Sequence, residues 1–252
     1  MKTAREMIRI ERELCVGCGL CVNDCIRRSV FLQDGKAAVG GGACNACGHC
    51  YAICPCGAVS YADGRDVPQP VGAMPAADDM EWLIKNRRSV RHFLTNEISQ
   101  EDLEKILEVG RYAPAARNAR DVTFRVLTDC LPQLEMEIDE ALLRLQREQG
   151  QSSQDEVIRE GYIFRGAPCA ILISGKTPSN GFIAAAYMEL YAQTLGYGAL
   201  YVGRLITALC QIPALREKVG LSEDEEPVTC LVLGKPAVCY CRVPKREVAK
   251  YL

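Results

Sequence analysis

From residue 78 onward the apolar positions fall alternately into helical and strand periods. Met80, Leu83 and Ile84 of MEWLIKN share one helical face behind Asp78 or Asp79, either of which predicts an N-cap. Ser99-x-x-Asp102 opens a second amphipathic helix, LEKILEV, with Gly110 as its expected end. TFRVLT alternates as a half-buried strand does, and Leu134, Ile138, Leu142 and Leu145 then recur at helical spacing in LPQLEMEIDEALLRLQREQ. APCAILIS and VTCLVLG are short, continuous apolar runs that predict buried strands. Between them GFIAAAYMELYAQTLG is apolar nearly all round, which predicts a helix inside the core rather than on its surface. Helices interleaved with a few strands indicate an α+β or α/β layered domain over residues 79–252. VPQPVGAMPAADD, with three prolines and no period, predicts a linker, placed at residues 63–78.

Residues 1–62 follow a different rule, set by cysteine. Cys15, Cys18, Cys21 and Cys25 have the spacing C-x-x-C-x-x-C-x-x-x-C, and Cys44, Cys47, Cys50 and Cys54 repeat it 29 residues later, followed by Pro55. Three thiolates at steps of three can wrap one cube of iron and sulfide, whereas the fourth lies too far along to close the same cube. In the bacterial run of this spacing the fourth crosses to the other cluster. The assignment is therefore Cys15, Cys18, Cys21 and Cys54 for one [4Fe-4S] cluster, and Cys44, Cys47, Cys50 and Cys25 for the other. Structural zinc instead uses separated C-x-x-C pairs. Gly17, Gly19 and Gly48 lie between ligands, where the backbone must curl tightly. His49 is read as a neighbour of the ligands and not as one of them.

Composition narrows the setting. Fifteen cysteines in 252 residues, with no stretch organised as a secretory leader, indicate metal ligation in a reducing compartment, and the cytoplasm is the expected one. A net charge of −2 and a pI near 5.9 exclude neither catalysis nor binding, but they give no basis for a nucleic-acid partner. No apolar run approaches the roughly 18 residues of a membrane helix, so no membrane partner is expected. No G-x-G-x-x-G follows a strand and no P-loop occurs. The other seven cysteines mostly sit in apolar patterns, as small buried hydrophobes do.

Residues 8–62 closely resemble the bacterial two-cluster ferredoxins, with Ile26 where that family has proline. Four later segments, NRRSVRHF, RYAPAARNARDVTFRVL, LGYGALYVG and LVLGKPAVCYCRVPKR, resemble in this order the nitroreductase family of FMN enzymes over residues 79–250. The whole chain resembles ferredoxin–nitroreductase fusions: a ferredoxin-like domain with two [4Fe-4S] clusters, then an α/β FMN-dependent nitroreductase-like domain. The resemblance implies that Arg87, Arg88, Ser89 and Arg91 contact the FMN phosphate, ribityl chain and ring edge. It implies that Asn118, four residues after Pro114, reaches the isoalloxazine ring, and that Arg242 and Arg246 complete the phosphate site. It implies as well that Gly196, Gly198 and Ala199 to Gly203 lie beside the ring. Ala115 and Ala119-Arg120 depart from the family's usual residues, and Arg120 reads as a surface residue. A homodimer with FMN at the interface is also implied.

The implied activity passes electrons from a low-potential donor such as a ferredoxin through both clusters to FMN and on to a small electrophile such as a nitro compound or quinone. Two alternatives remain: NAD(P)H reduces FMN directly and the clusters carry electrons outward, or the chain is a non-catalytic electron-transfer subunit. No side chain is singled out as an acid–base catalyst, because a cofactor of this kind carries the chemistry itself.

Overall fold

The computed structural model describes residues 2–64, 69–148 and 161–248. The 65–68 part of the expected linker lies outside the described residues. The chain divides into two compact units, the first formed by Met1–Met74 with Ala115–Arg120, the second by Pro75–Pro114 with Asp121–Leu252.

The first unit is built on the internal duplication. Its elements are α1 (Ala4–Met7), β1 (Ile8–Ile10), α2 (Leu20–Asn23), β2 (Val30–Gln33), β3 (Lys36–Val39), α3 (His49–Ala52) and β4 (Val59–Tyr61). Strands β1 and β4 pair antiparallel with Ile8 opposite Tyr61, and β2 and β3 form a hairpin with Val30 opposite Val39. Asp34 and Gly35 turn that hairpin, both at positive φ (51° and 74°), as a two-residue Asp-Gly loop requires to match strand twist. Ile8, Cys21, Val30 and Ala37 make the small core. The remaining segment, Ala115–Arg120, contains a single 3-10 turn over Ala116–Asn118.

The second unit has α4 (Ala77–Asn86), α5 (Gln100–Arg111), β5 (Val122–Leu127), α6 (Leu131–Glu148), β6 (Cys169–Gly175), α7 (Pro178–Thr194), β7 (Gly198–Tyr201), α8 (Gly203–Gln211), α9 (Pro213–Lys218) and β8 (Pro227–Gly234). Its four-stranded antiparallel sheet has the order β5-β6-β8-β7. Every residue of β6 and β8 is buried, because the sheet is covered on both faces. Alternate residues therefore enter different cores. Cys169, Ile171, Ile173, Leu231 and Leu233 pack with Leu103 and Ile106 of α5 and Met188 of α7. Ala170, Leu172, Cys230 and Val232 pack with Ile138 of α6 and Leu205 of α8. The result is an α/β sandwich of helices on both sides of a sheet.

Two expected boundaries shift for physical reasons. Gly110 lies inside α5 and does not end it; a Cβ there would come within 3.0 Å of Met188 and Phe124, so glycine lets α5 settle against α7. Ala76 holds the N-cap position of α4, and Asp78 and Asp79 lie in its first turn, where they complement the helix dipole. Ser99 does cap α5, accepting from the Asp102 N–H at 3.1 Å. Among the described residues no helix is long and apolar enough to cross a membrane.

Candidate functional site

The duplicated loops draw the eight cysteines into two hollows. One is lined by Cys15, Cys18, Cys21 and Cys54, with Cys56 Sγ 3.7 Å from Cys54 Sγ. The other is lined by Cys25, Cys44, Cys47 and Cys50. Each hollow thus takes three thiols from one array and the last thiol of the other. Local backbone geometry produces this arrangement. Gly19 and Gly48, at φ 74° and 78°, start the one-turn helices α2 and α3, which carry Cys21 and Cys50 inward. Arg28 and Gly57, equivalent under the 29-residue repeat, turn the chain after the crossing cysteine at φ 51° and 65°.

Backbone N–H groups point at the sulfurs. Ala37 N–H donates to Cys15 Sγ, Ser29 N–H to Cys25 Sγ and Ala46 N–H to Cys44 Sγ, each at 3.3 Å. Donation from Ala37 and then Gly17 lowers the Cys15 pKa. For Cys54, burial opposes ionisation, but the N–H groups of Cys56, Ala58 and Val59 outweigh it and lower the pKa. Burial pushes Cys50 up to about 11, the cost that a bound cation would remove. His49 Nδ1 meets Asp24 Oδ2 at 2.9 Å and so is engaged outside the thiol set. Among the described residues no His, Cys, Asp or Glu group is gathered to hold a single metal ion. Two hollows, each holding four array thiols fringed by N–H donors, fit an iron–sulfur cube, whose corners spread the ligands apart.

The second unit assembles a separate cradle. Residues Ser89 to Leu94 run between β7 and the chain leaving β8: Val90 N–H donates to Ala199 O at 2.9 Å, Leu94 N–H to Lys235 O at 2.8 Å, and Ala237 N–H to His92 O at 2.9 Å. Gly198 is required there, because a Cβ would lie 2.4 Å from Val90 Cγ2. Gly196, at φ 79°, turns the chain from α7 into β7. The Tyr240 hydroxyl donates to Ser89 O at 3.3 Å.

The arginines of NRRSVRHF take different positions. Arg87 donates to Glu189 at 2.9 Å, and Arg88 donates to the carbonyls of Lys85 and Arg87 at the end of α4. Arg91 is exposed. Arg242 and Arg246 lie on the exposed stretch after β8. Pro114 ends its segment of the second unit, and Asn118 belongs to the first unit, where its amide donates to Asn45 O and Ala46 O.

A cavity of about 570 Å³ opens beside the β7–α8 junction, lined by Tyr201, Val202, Gly203 and Arg204 together with Tyr162 and Arg165. Arg204 is paired with buried Asp139 at 3.0 Å, and the Arg165 guanidinium stacks on Tyr162 at 4.2 Å. Burial first, then Glu189, raises the Tyr201 pKa, so its hydroxyl stays protonated. Sequence reading missed Glu189, although it is the one ionisable acid within the apolar run of α7, a legible sign of a buried partner.

The description "Nitroreductase family" matches residues 84–235, more than half of the chain. The chain belongs to the nitroreductase family. It is an oxidoreductase of that family with an N-terminal 4Fe-4S domain, since the description "4Fe-4S dicluster domain" matches residues 7–55. This nitroreductase-family chain is 27% identical over 164 residues to an Archaeoglobus fulgidus protein named as an NADH dehydrogenase/NAD(P)H nitroreductase, covering 61% of the chain and 83% of that protein. It is also similar to a Bacteroides fragilis nitroreductase crystallised with FMN (26% identity, TM-score 0.55, 69% of this chain and 96% of that one). A Desulfitobacterium hafniense nitroreductase shares the fold at 23% identity (TM-score 0.58, 69% and 98% covered).

Proposed function

We propose that this chain is an iron–sulfur flavoprotein that carries electrons from a low-potential donor through two [4Fe-4S] clusters to FMN, and on to a small electrophile such as a nitro compound or quinone. The observation that carries the reading is the crossed grouping of thiols, Cys54 with the first array and Cys25 with the second. When bound, the clusters supply one-electron steps at low potential and the flavin exchanges electrons singly or in pairs.

This chain's residues supply position and charge. Four cysteines would hold each cluster, with Ala37, Ser29 and Ala46 N–H groups steadying the sulfurs. Ser89, Gly196, Gly198 and the β7–α8 backbone would bed the flavin, while Arg91, Arg242 and Arg246 supply cations for its phosphate. Arg87 and Arg88 would act from one step back, by holding this segment to Glu189 and to the end of α4. We place the flavin at a homodimer interface; exposed Met80, Trp82 and Ile84 on α4 offer apolar surface for a second copy. We place the protein in the cytoplasm, whose reducing conditions keep the seven cysteines outside the two arrays as thiols.

The names of the relatives favour one second reading: NAD(P)H reduces FMN directly and the clusters pass electrons outward. Anaerobic stopped-flow spectroscopy separates the two. Under the first reading, a reduced ferredoxin bleaches cluster absorbance before flavin absorbance, and NADH alone does neither. Prompt flavin bleaching by NADH overturns it in favour of the second. Failure of the reduced protein to turn over any nitroaromatic or quinone overturns the first and favours a non-catalytic electron-transfer subunit.

A further inference from the structure

The two cysteine arrays are copies, yet one of them carries an attachment that the other lacks. Under the 29-residue repeat Ala46 stands where the first array has Gly17. Both are left-handed, at φ 51° and 71°, a conformation natural to glycine and strained for alanine. The peptide that joins Asn45 to Ala46 is gripped at both ends. Its N–H donates to Cys44 Sγ at 3.3 Å. Its carbonyl, Asn45 O, accepts from Asn118 Nδ2 at 3.0 Å.

The grip extends one residue further. Asn118 Nδ2 also donates to Ala46 O at 2.9 Å, and Arg120 Nη2 donates to the same oxygen at 3.0 Å. Facing two carbonyls, the Asn118 side chain can present only its NH2, so both of its donors are engaged here. The loop that delivers these groups is itself strained: Arg117, Asn118 and Arg120 all have positive φ, 55°, 53° and 50°. Strain on both sides of one contact persists only where the surroundings over-determine it. In the first array the Gly17 N–H likewise faces Cys15, but no described side chain donates to the carbonyl of Val16.

We propose that Asn118 and Arg120 are positioning residues that set the reduction potential of the cluster held by Cys44, Cys47, Cys50 and Cys25 above that of the other. The inference rests on the two-cluster reading given above. Donation to Asn45 O polarises the peptide and strengthens its N–H as a donor to Cys44 sulfur. Drawing charge from the thiolate favours the reduced, more negative cluster, and the Arg120 cation acts in the same direction.

The test uses the full chain reconstituted anaerobically, titrated potentiometrically with each cluster followed by electron paramagnetic resonance. Cys44→Ser and Cys15→Ser mark which signal belongs to which hollow. Asn118→Ala should lower the second cluster's midpoint by about a tenfold change in its reduction equilibrium, about 59 mV for one electron, and leave the first in place. Arg120→Ala, a change at an exposed residue that keeps the fold, should lower the same midpoint by less, and Arg120→Lys should restore much of it. Unchanged midpoints in both alanine variants, or equal shifts in the two clusters, overturn the proposal. Wild-type protein without two reducible clusters fails the underlying reading instead, so the two failures are distinguishable.

Discussion

Arg87 donates to Glu189 across 2.9 Å, joining the loop after α4 to the interior of α7. The Glu189 side chain is only 7% exposed, against 30% for Arg87, so the carboxylate depends on this partner. Removing one member of a buried pair strands the other and costs about 3–5 kcal/mol, less where one side reaches solvent. We expect Glu189→Gln, which cannot balance the Arg87 charge, to destabilise the protein by about 2 kcal/mol. It should also loosen flavin, because the freed Arg87 no longer fixes the segment beside β7. Urea denaturation and flavin retention on gel filtration check this; a loss below about 0.5 kcal/mol with flavin retained contradicts it.

Gly198 makes a sharper prediction about the same segment. Any Cβ there would meet Val90 and Pro236, so Gly198→Ala must push the loop away from β7 or bend the strand. Such overpacking costs about 1–3 kcal/mol. The variant should fold, since the sheet core lies on β6 and β8, yet purify with flavin much depleted. Full flavin content after purification would show that the close approach serves packing alone.

These two residues illustrate what was legible. Gly198 stood out in LGYGALYVG through the family resemblance, which sets it beside a flavin ring, whereas its packing against Val90 was not foreseen; the eight cysteines announced their grouping through spacing. Short continuous apolar runs likewise gave β6 and β8, and lone apolar stripes gave α5 and α6. What could not be read was pairing at long range. Arg87 and Glu189 are 102 positions apart, and nothing in NRRSVRHF says that its first guanidinium turns inward. The attachment of Asn118 to Ala46 spans 72 positions and depends on three left-handed residues that no propensity favours. Gly110 looked like a helix end because glycine usually is one; only the presence of Met188 opposite explains it inside α5.

Stability should depend on pH through Glu225. Burial works against its charge, but donation from Ser222 and the Arg125 guanidinium outweighs that and lowers the pKa from 4.5 to about 2. Arg125 also donates to Gly220 O and Ser174 Oγ, so the carboxylate anchors β5 to the loop before β8. A folded-state pKa below the unfolded one adds stability that is complete above pH 4.5 and disappears as pH falls toward 2. Partial exposure reduces the contribution to about 1–2 kcal/mol. Glu225→Gln should lose that amount at pH 7 and flatten the acid limb of the stability curve between those two values. An unaltered acid limb in the variant would remove Glu225 from the account.

The crossing of the fourth cysteines can be read directly from iron. If Cys25 serves the hollow formed by Cys44, Cys47 and Cys50, then Cys25→Ser disturbs the same resonance signal as Cys44→Ser, although Cys25 lies in the other array. Cys54→Ser should in turn disturb the signal marked by Cys15→Ser. Uncrossed ligation reverses both pairings. The backbone argues for the crossed result: Ser29 N–H reaches Cys25 Sγ while the Ser29 hydroxyl donates to Ala43 O, the residue before Cys44. One residue thus ties the end of the first array to the start of the second. Variants that lose iron from the array in which the mutated cysteine is encoded, and keep it in the other, would refute the arrangement.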